Sequence, residues 1–151
     1  MTNSKNERRD GRRRARPASP RGRQTGRDKR AAAAADACKL ALVVAGAALD
    51  KKALAVEILD VTGKVDYADY LVLMTGRSSR HVDALAQGIE EECAKKKTRA
   101  LSMEGSAGAV WILIDFGDVV VHIFQEEARG LYDIEGLWLD AKRLPVPGQT
   151  T

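Results

Sequence analysis

The 151-residue sequence is poor in the side chains that covalent and metal chemistry requires. It has two histidines, His81 and His122, and two cysteines, Cys38 and Cys93. Neither histidine has a second His, a Cys pair or a carboxylate at ligand spacing, which argues against a metal site. The cysteines lack CxxC spacing and fall on apolar helix faces. They read as buried thiols of a reduced cytosolic protein, not as a disulfide framework or a Cys–His nucleophile. No catalytic residue and no cofactor is assigned. A long charge-free apolar run is also missing. The longest near the start covers residues 40–49, about half of what a bilayer-spanning helix needs. An Arg-rich start followed by alanines has the outline of a signal peptide. Asp36 and Lys39 interrupt its apolar region, however, and Ala35 stands where a lipoprotein signal has Leu, three before Cys38. These absences point to a cytoplasmic protein with no membrane association.

Residues 1–30 contain no Val, Ile, Leu, Phe, Tyr or Trp. Such a segment cannot bury enough apolar area to offset its ordering entropy, so a disordered arm is expected there. Charge is split accordingly. The arm holds 12 Lys/Arg against 3 Asp/Glu, a net +9, which leaves 13 against 18, a net −5, in the remainder. An acidic domain thus trails a basic arm that can seek phosphate in a salt-dependent way or simply solubilise the chain. Without aromatics to stack on bases, the arm has no means of reading sequence. The domain is expected over residues 31–144, long enough for one core without staples, and residues 145–151 as a flexible tail.

What is present is periodic. Residues 31–49 are Ala-rich and helical in propensity, with Cys38, Leu42, Ala45 and Leu49 as the expected buried stripe. Residues 53–61 form a strand. Residues 69–75 form another whose continuous apolar run marks cover on both faces. Ser78 or Ser79 caps a helix in which Val82, Leu85, Ala86, Ile89 and Cys93 share one face. Residues 99–103 read as a short edge strand. Strands, a helix, then more strands define an α/β sandwich with a mixed sheet.

Residues 111–138 are the most informative segment. Gly117-Asp118 suits a two-residue hairpin turn. In that register Phe116 opposes Val119, Ile114 opposes Val121 and Ile112 opposes Ile123, six apolar side chains on one core face. The other face pairs Trp111 with Phe124, Leu113 with His122 and Asp115 with Val120. That mixed face is either a second core beneath a helix or a docking surface, since exposed apolar patches and aromatic anchors usually have a partner. One short amphipathic helix follows, with Leu131, Ile134, Leu137 and Trp138 expected to pack and Arg129, Tyr132 and Glu135 elsewhere around it.

Two weaker signals carry little chemistry. The stretch TGRSSR (residues 75–80) offers a helix N-terminus to an anion but lacks the Lys and spacing of a P-loop. Asp66 and Asp69 suit capping or loop roles better than a metal pair.

The strings LDKKA (49–53), ILDV (58–61), DYADYLVLMTGRSSRHV (66–82), EG (104–105), WILIDFGDVVVHIF (111–124) and EEARGLYDIEGLW (126–138) together make the chain resemble the ribosomal silencing factor (iojap-like) family over residues 37–138. The family often has an acidic pair where this chain has Leu54-Ala55. The basic arm is not part of the family core. The resemblance implies a fold similar to nucleotidyltransferases without their catalytic carboxylates. It also implies a non-enzymatic translation repressor that binds the large ribosomal subunit through its fourteenth protein, at the subunit interface. Bound there, it blocks the small subunit and lowers translation under nutrient limitation. Family members form homodimers in isolation. On this reading Trp111, Leu113, His122 and Tyr132 are the expected contact residues and Arg129 and Glu135 a polar rim, with rRNA within reach of the arm. A nucleotide-processing enzyme of the same fold, and an RNA-binding protein acting through residues 1–30, are the alternatives.

Overall fold

The computed structural model describes residues 20–105 and 108–149, with residues 20–28, 30 and 31 described by backbone alone. The chain divides into two units, Met1–Ala33 and Ala34–Thr151. The described part of the first unit is the beginning of helix α1 (Pro20–Asp50). This helix starts at Pro20 and not at residue 31, so residues 20–30, expected within the arm, are helical. The rest of the expected arm lies outside the described residues.

The second unit is built on a six-stranded sheet of order β3-β4-β5-β2-β1-β6. Its strands are β1 (Leu54–Asp60), β2 (Tyr70–Gly76), β3 (Ser102–Glu104), β4 (Trp111–Asp115), β5 (Val119–Gln125) and β6 (Lys142–Leu144). β2 and β5 run parallel and every other pair is antiparallel, giving the expected mixed α/β sheet. α1 and helix α2 (Ser79–Lys95) pack on one face, and two short helices, α3 (Glu126–Tyr132) and α4 (Ile134–Leu137), lie on the other. β2 sits between the layers and every residue of it is buried, as its unbroken apolar run requires.

Alternation sorts the strands between two cores. Ile112, Ile114, Phe116, Val119, Val121 and Ile123 face α1 and α2. The hairpin register is the one the sequence specifies, with Trp111 against Phe124, Leu113 against His122 and Asp115 against Val120. Gly117 closes the turn at φ +100 and its N–H donates to Asp115 Oδ1 at 2.8 Å. Gly105, at φ +111, lets β3 leave the sheet beside β4. A Cβ there would stand 2.9 Å from the Trp111 carbonyl oxygen.

On α2, Val82, Leu85, Ala86, Ile89 and Cys93 are all buried, and the Ser78 hydroxyl caps the helix by accepting from His81 N–H at 3.1 Å. The α1 stripe differs from expectation. Ala37, Ala41, Val44, Ala45 and Ala48 face the core, whereas Cys38 and Leu49 are half-buried and Leu42 is exposed. In a helix apolar almost all round, periodicity has no direction. Small side chains let the backbone approach the sheet, so they win the inner face. Ala32–Asp50 is long and apolar enough to cross a membrane by length and composition, although it contains no charge-free run of that length. Here its small residues are spent on the sheet.

β1 carries a bulge. Leu54 pairs with Thr75 and Glu57 with Leu73, which leaves Ala55, at φ +49, and Val56 outside the ladder. The Val56 N–H and carbonyl and the Ala55 carbonyl find partners far along the chain. The Gln149 side-chain amide brackets Val56, accepting from its N–H at 2.8 Å and donating to its carbonyl at 2.9 Å. Arg129 Nη1 donates to the Ala55 carbonyl. Gln149 lies in the tail expected from residue 145, and composition does not reveal these hydrogen bonds.

Candidate functional site

The second face of the sheet is neither bare nor sealed. Leu59, Leu71, Leu73, Val120 and Phe124 form its buried floor with Ala128 and Ala141, and Trp111, Leu113, Ile134 and Trp138 pack against it half-buried. Trp111 is the hub. Its ring centroid lies 4.5 Å from that of Tyr132, 5.1 Å from Phe124 and 5.7 Å from His122, within the range of favourable aromatic pairing. Phe124 is fully buried beneath, while Tyr132 is 46% exposed. The stack therefore runs from core to surface.

His122 is buried at 8% exposure, and its Nδ1 accepts a hydrogen bond from Trp111 Nε1–H at 3.1 Å. An accepting Nδ1 carries no proton, so the ring is neutral with its hydrogen on Nε2. Burial alone pushes the imidazole down to about 4. The linkage has one sign. The folded state resists a proton that the unfolded chain accepts near pH 6.5, so the contribution is complete above pH 6.5. It is lost as pH falls from there toward 4. A shift of this size corresponds to roughly 3 kcal/mol. Urea unfolding is expected to show about 2 kcal/mol of this loss in the wild type between pH 7 and pH 5, with a much smaller difference in His122→Gln.

The single amphipathic helix expected after the hairpin is broken in two. Asp133 takes a left-handed conformation at φ +45, its N–H closing α3 on the Arg129 carbonyl and its Oδ1 capping α4 by accepting from Gly136 N–H at 3.1 Å. The break rotates the outer face. Leu131 and Leu137, expected to pack, are 79% and 71% exposed, and Leu139 at 78% joins them on this segment. Only Ile134 and Trp138 of the expected stripe reach the sheet. The signal available in the sequence was Asp133 three residues before Gly136, a cap followed by the residue that leaves room for it.

Arg129 is not a rim residue. It is buried at 8% exposure and each of its three nitrogens donates a hydrogen bond. Nε and Nη2 meet the Glu135 carboxylate at 3.1 and 2.9 Å, Nη1 meets Thr75 Oγ1 at 3.0 Å and the Ala55 carbonyl, and Nη2 lies 3.5 Å from Glu57. Glu57 also pairs with Arg143 at 3.1 Å. Glu135 is committed to this guanidinium, whose hydrogen bond holds its carboxyl below the usual range. Of the six expected contact residues, Trp111, Leu113 and Tyr132 reach the surface, His122 lies beneath them, and Arg129 with Glu135 anchors the helices.

The other candidates fall apart. At the start of α2, the groups expected to greet an anion serve the fold. Arg77 N–H donates to His81 Nδ1 at 2.9 Å, and His81 Nε2 meets the Lys51 carbonyl at 2.7 Å. Asp69 is raised by burial and by Asp118 and Asp60, and its backbone bonds the loop at Asp118. Among the described residues no three His, Cys, Asp or Glu side chains converge to hold a metal ion.

Comparison with known proteins places the chain among named relatives. The family model described as "Ribosomal silencing factor during starvation" matches residues 34–151. The chain is 34% identical over 122 residues to ribosomal silencing factor RsfS of Zymomonas mobilis, covering 81% of this chain and 86% of that one. It is 31% identical over 84 residues to the mouse mitochondrial assembly of ribosomal large subunit protein 1, covering 54% and 37%. A crystal structure of a Chromobacterium violaceum protein superposes with a TM-score of 0.67 at 27% identity, over 75% of this chain and 93% of that one. The match begins where the second unit begins, runs through the sheet and both helical layers, and makes this chain a member of the ribosomal silencing factor family.

Proposed function

We propose that this protein is a translation repressor that works by occlusion and not by catalysis. It docks on the large ribosomal subunit through that subunit's fourteenth protein and stands where the small subunit must join, lowering translation when nutrients are scarce. The observation that carries the reading is the half-open aromatic stack on a member of a silencing family. A buried Phe124 supports Trp111 and Tyr132 at the surface, and among the described residues no three His, Cys, Asp or Glu side chains converge to hold a metal ion. The name of the mouse relative, which speaks of large-subunit assembly, supports the choice of subunit. The contact surface is Trp111, Leu113 and Tyr132, extended by the exposed Leu131, Leu137 and Leu139. The net −5 outside residues 1–30 suits a basic ribosomal protein. Free in the cytoplasm the protein is a homodimer, and on the ribosome its basic arm lies against rRNA.

The test is co-sedimentation with separated subunits, followed by light scattering of subunit joining. Binding to large subunits alone, with joining suppressed in proportion to occupancy, is the expected result. Binding to small subunits, or unimpeded joining at saturation, would overturn it. Deleting residues 1–30 is expected to flatten the salt dependence while most of the affinity survives. Loss of all binding would make the arm, not the aromatic face, the docking element.

A further inference from the structure

Arg129 occupies a position that neither a core nor a contact surface requires. It sits in α3, one residue before Gly130, and three residues before Tyr132. Its guanidinium passes inward and joins three elements: β1 through the Ala55 carbonyl in the bulge and the Glu57 carboxylate, β2 through the Thr75 hydroxyl, and α4 through the Glu135 carboxylate. Its own carbonyl accepts the Asp133 N–H that turns the chain from α3 into α4. The elbow between the two helices is therefore tied to the sheet on both sides by one side chain. Tyr132 stands at that elbow, stacked 4.5 Å from Trp111.

A seven-residue helix followed by a four-residue one has little stability of its own, because each forms few hydrogen bonds for the residues it orders. Apolar packing at the elbow is thin, with Ala128 buried and Ile134 half-buried against the sheet. Of α3, only Ala128 and Arg129 are buried, and of α4 no residue is. The bidentate Arg129–Glu135 pair spans the elbow, and a planar fork fixes the direction of both helices, as a flexible ammonium does not. The bulge supplies the inner end of the tie. An unpaired Ala55 carbonyl exists only because Ala55 leaves the ladder.

We propose that Arg129 is a positioning residue for the docking face: it locks the α3–α4 elbow so that Tyr132 stays stacked on Trp111 in the free protein. This rests on the docking reading above. Arg129 touches no partner; it acts through Tyr132 by removing the freedom that binding would otherwise have to remove.

The experiment is a double-mutant cycle of Arg129→Met and Tyr132→Ala in the full chain, with Glu135→Gln as a milder cut of the same tie. Near-ultraviolet circular dichroism of the free protein and affinity for isolated large subunits are both read. Arg129→Met and Glu135→Gln are expected to alter the aromatic bands with the far-ultraviolet spectrum unchanged, and to weaken binding, Arg129→Met by about tenfold, the scale of an interface anchor. In the Tyr132→Ala background neither change is expected to recur. Unaltered aromatic bands in both variants, or binding losses that multiply in the double variant, would overturn the proposal. If Arg129→Met unfolds, Glu135→Gln decides by the same criteria. If the wild type does not bind large subunits, the docking reading fails, while the spectra still decide whether Arg129 sets the Tyr132–Trp111 stack.

Discussion

Replacing Trp111 by alanine is expected to weaken binding to isolated large subunits by more than tenfold while the domain remains folded. Trp111 is half-buried, so much of its ring rests on its own protein, yet it is the side chain on which the surface aromatics converge. Truncating a central aromatic of an interface commonly costs about 2 kcal/mol or more, and each 1.4 kcal/mol is roughly a tenfold change in affinity. The variant also leaves His122 Nδ1 without its donor and Tyr132 without its stacking partner. Some loss of stability therefore accompanies the loss of binding, and the two are separated by measuring unfolding in urea beside co-sedimentation. Trp111→Phe is the informative companion. It keeps a ring for Tyr132 but drops the Nε1–H, so it is expected to recover most of the affinity and less of the stability. Unchanged co-sedimentation of Trp111→Ala would remove this face from the docking proposal.

Phe124→Ala is expected to produce the largest loss of stability, about 3–5 kcal/mol. Phe124 is completely buried on β5, the strand that pairs with both the parallel β2 and the antiparallel β4. It lies between the sheet and the surface aromatics, 5.1 Å from Trp111, 6.0 Å from His122 and 6.5 Å from Tyr132. Removing its ring opens a cavity that neighbours on a six-stranded sheet cannot collapse to fill. Urea denaturation is expected to show a lower midpoint with an unchanged slope. A cost below about 1 kcal/mol would mean that the helical layer settles onto the sheet, and that the elbow is not held as the Arg129 contacts require.

The two faces of the hairpin were legible because alternation has only two answers. Slipping the register by one residue would exchange Ile112, Ile114 and Phe116 with Trp111, Leu113 and Asp115, and only one arrangement yields a wholly apolar face. The α2 stripe was legible for a related reason, since polar residues occupy the rest of that helix and give its pattern a direction. α1 has no such contrast. Of the expected stripe of Cys38, Leu42, Ala45 and Leu49 only Ala45 is fully buried, beside Ala37, Ala41, Val44 and Ala48, because small side chains let the helix approach the sheet. The segment after β5 misled in another way. A stripe of Leu131, Ile134 and Leu137 presumes one continuous helix, and a left-handed Asp133 resets the phase between the first and the others.

By itself, then, the sequence determined the mixed α/β class, the hairpin with its register, the α2 core face and the family. These depend on local periodicity and on residue strings, which survive without knowledge of what lies opposite. Tertiary structure alone decided that Arg129 is an internal tie and not a rim charge, that Gln149 hydrogen-bonds Val56, and that the aromatic face is half covered. Each of those depends on a contact between residues far apart in the chain: 74 positions for Arg129 and Ala55, and 93 for Gln149 and Val56. A charged or amide side chain carries no mark of its distant partner. The partner here is a carbonyl or amide freed by a bulge that only the pairing of β1 with β2 creates.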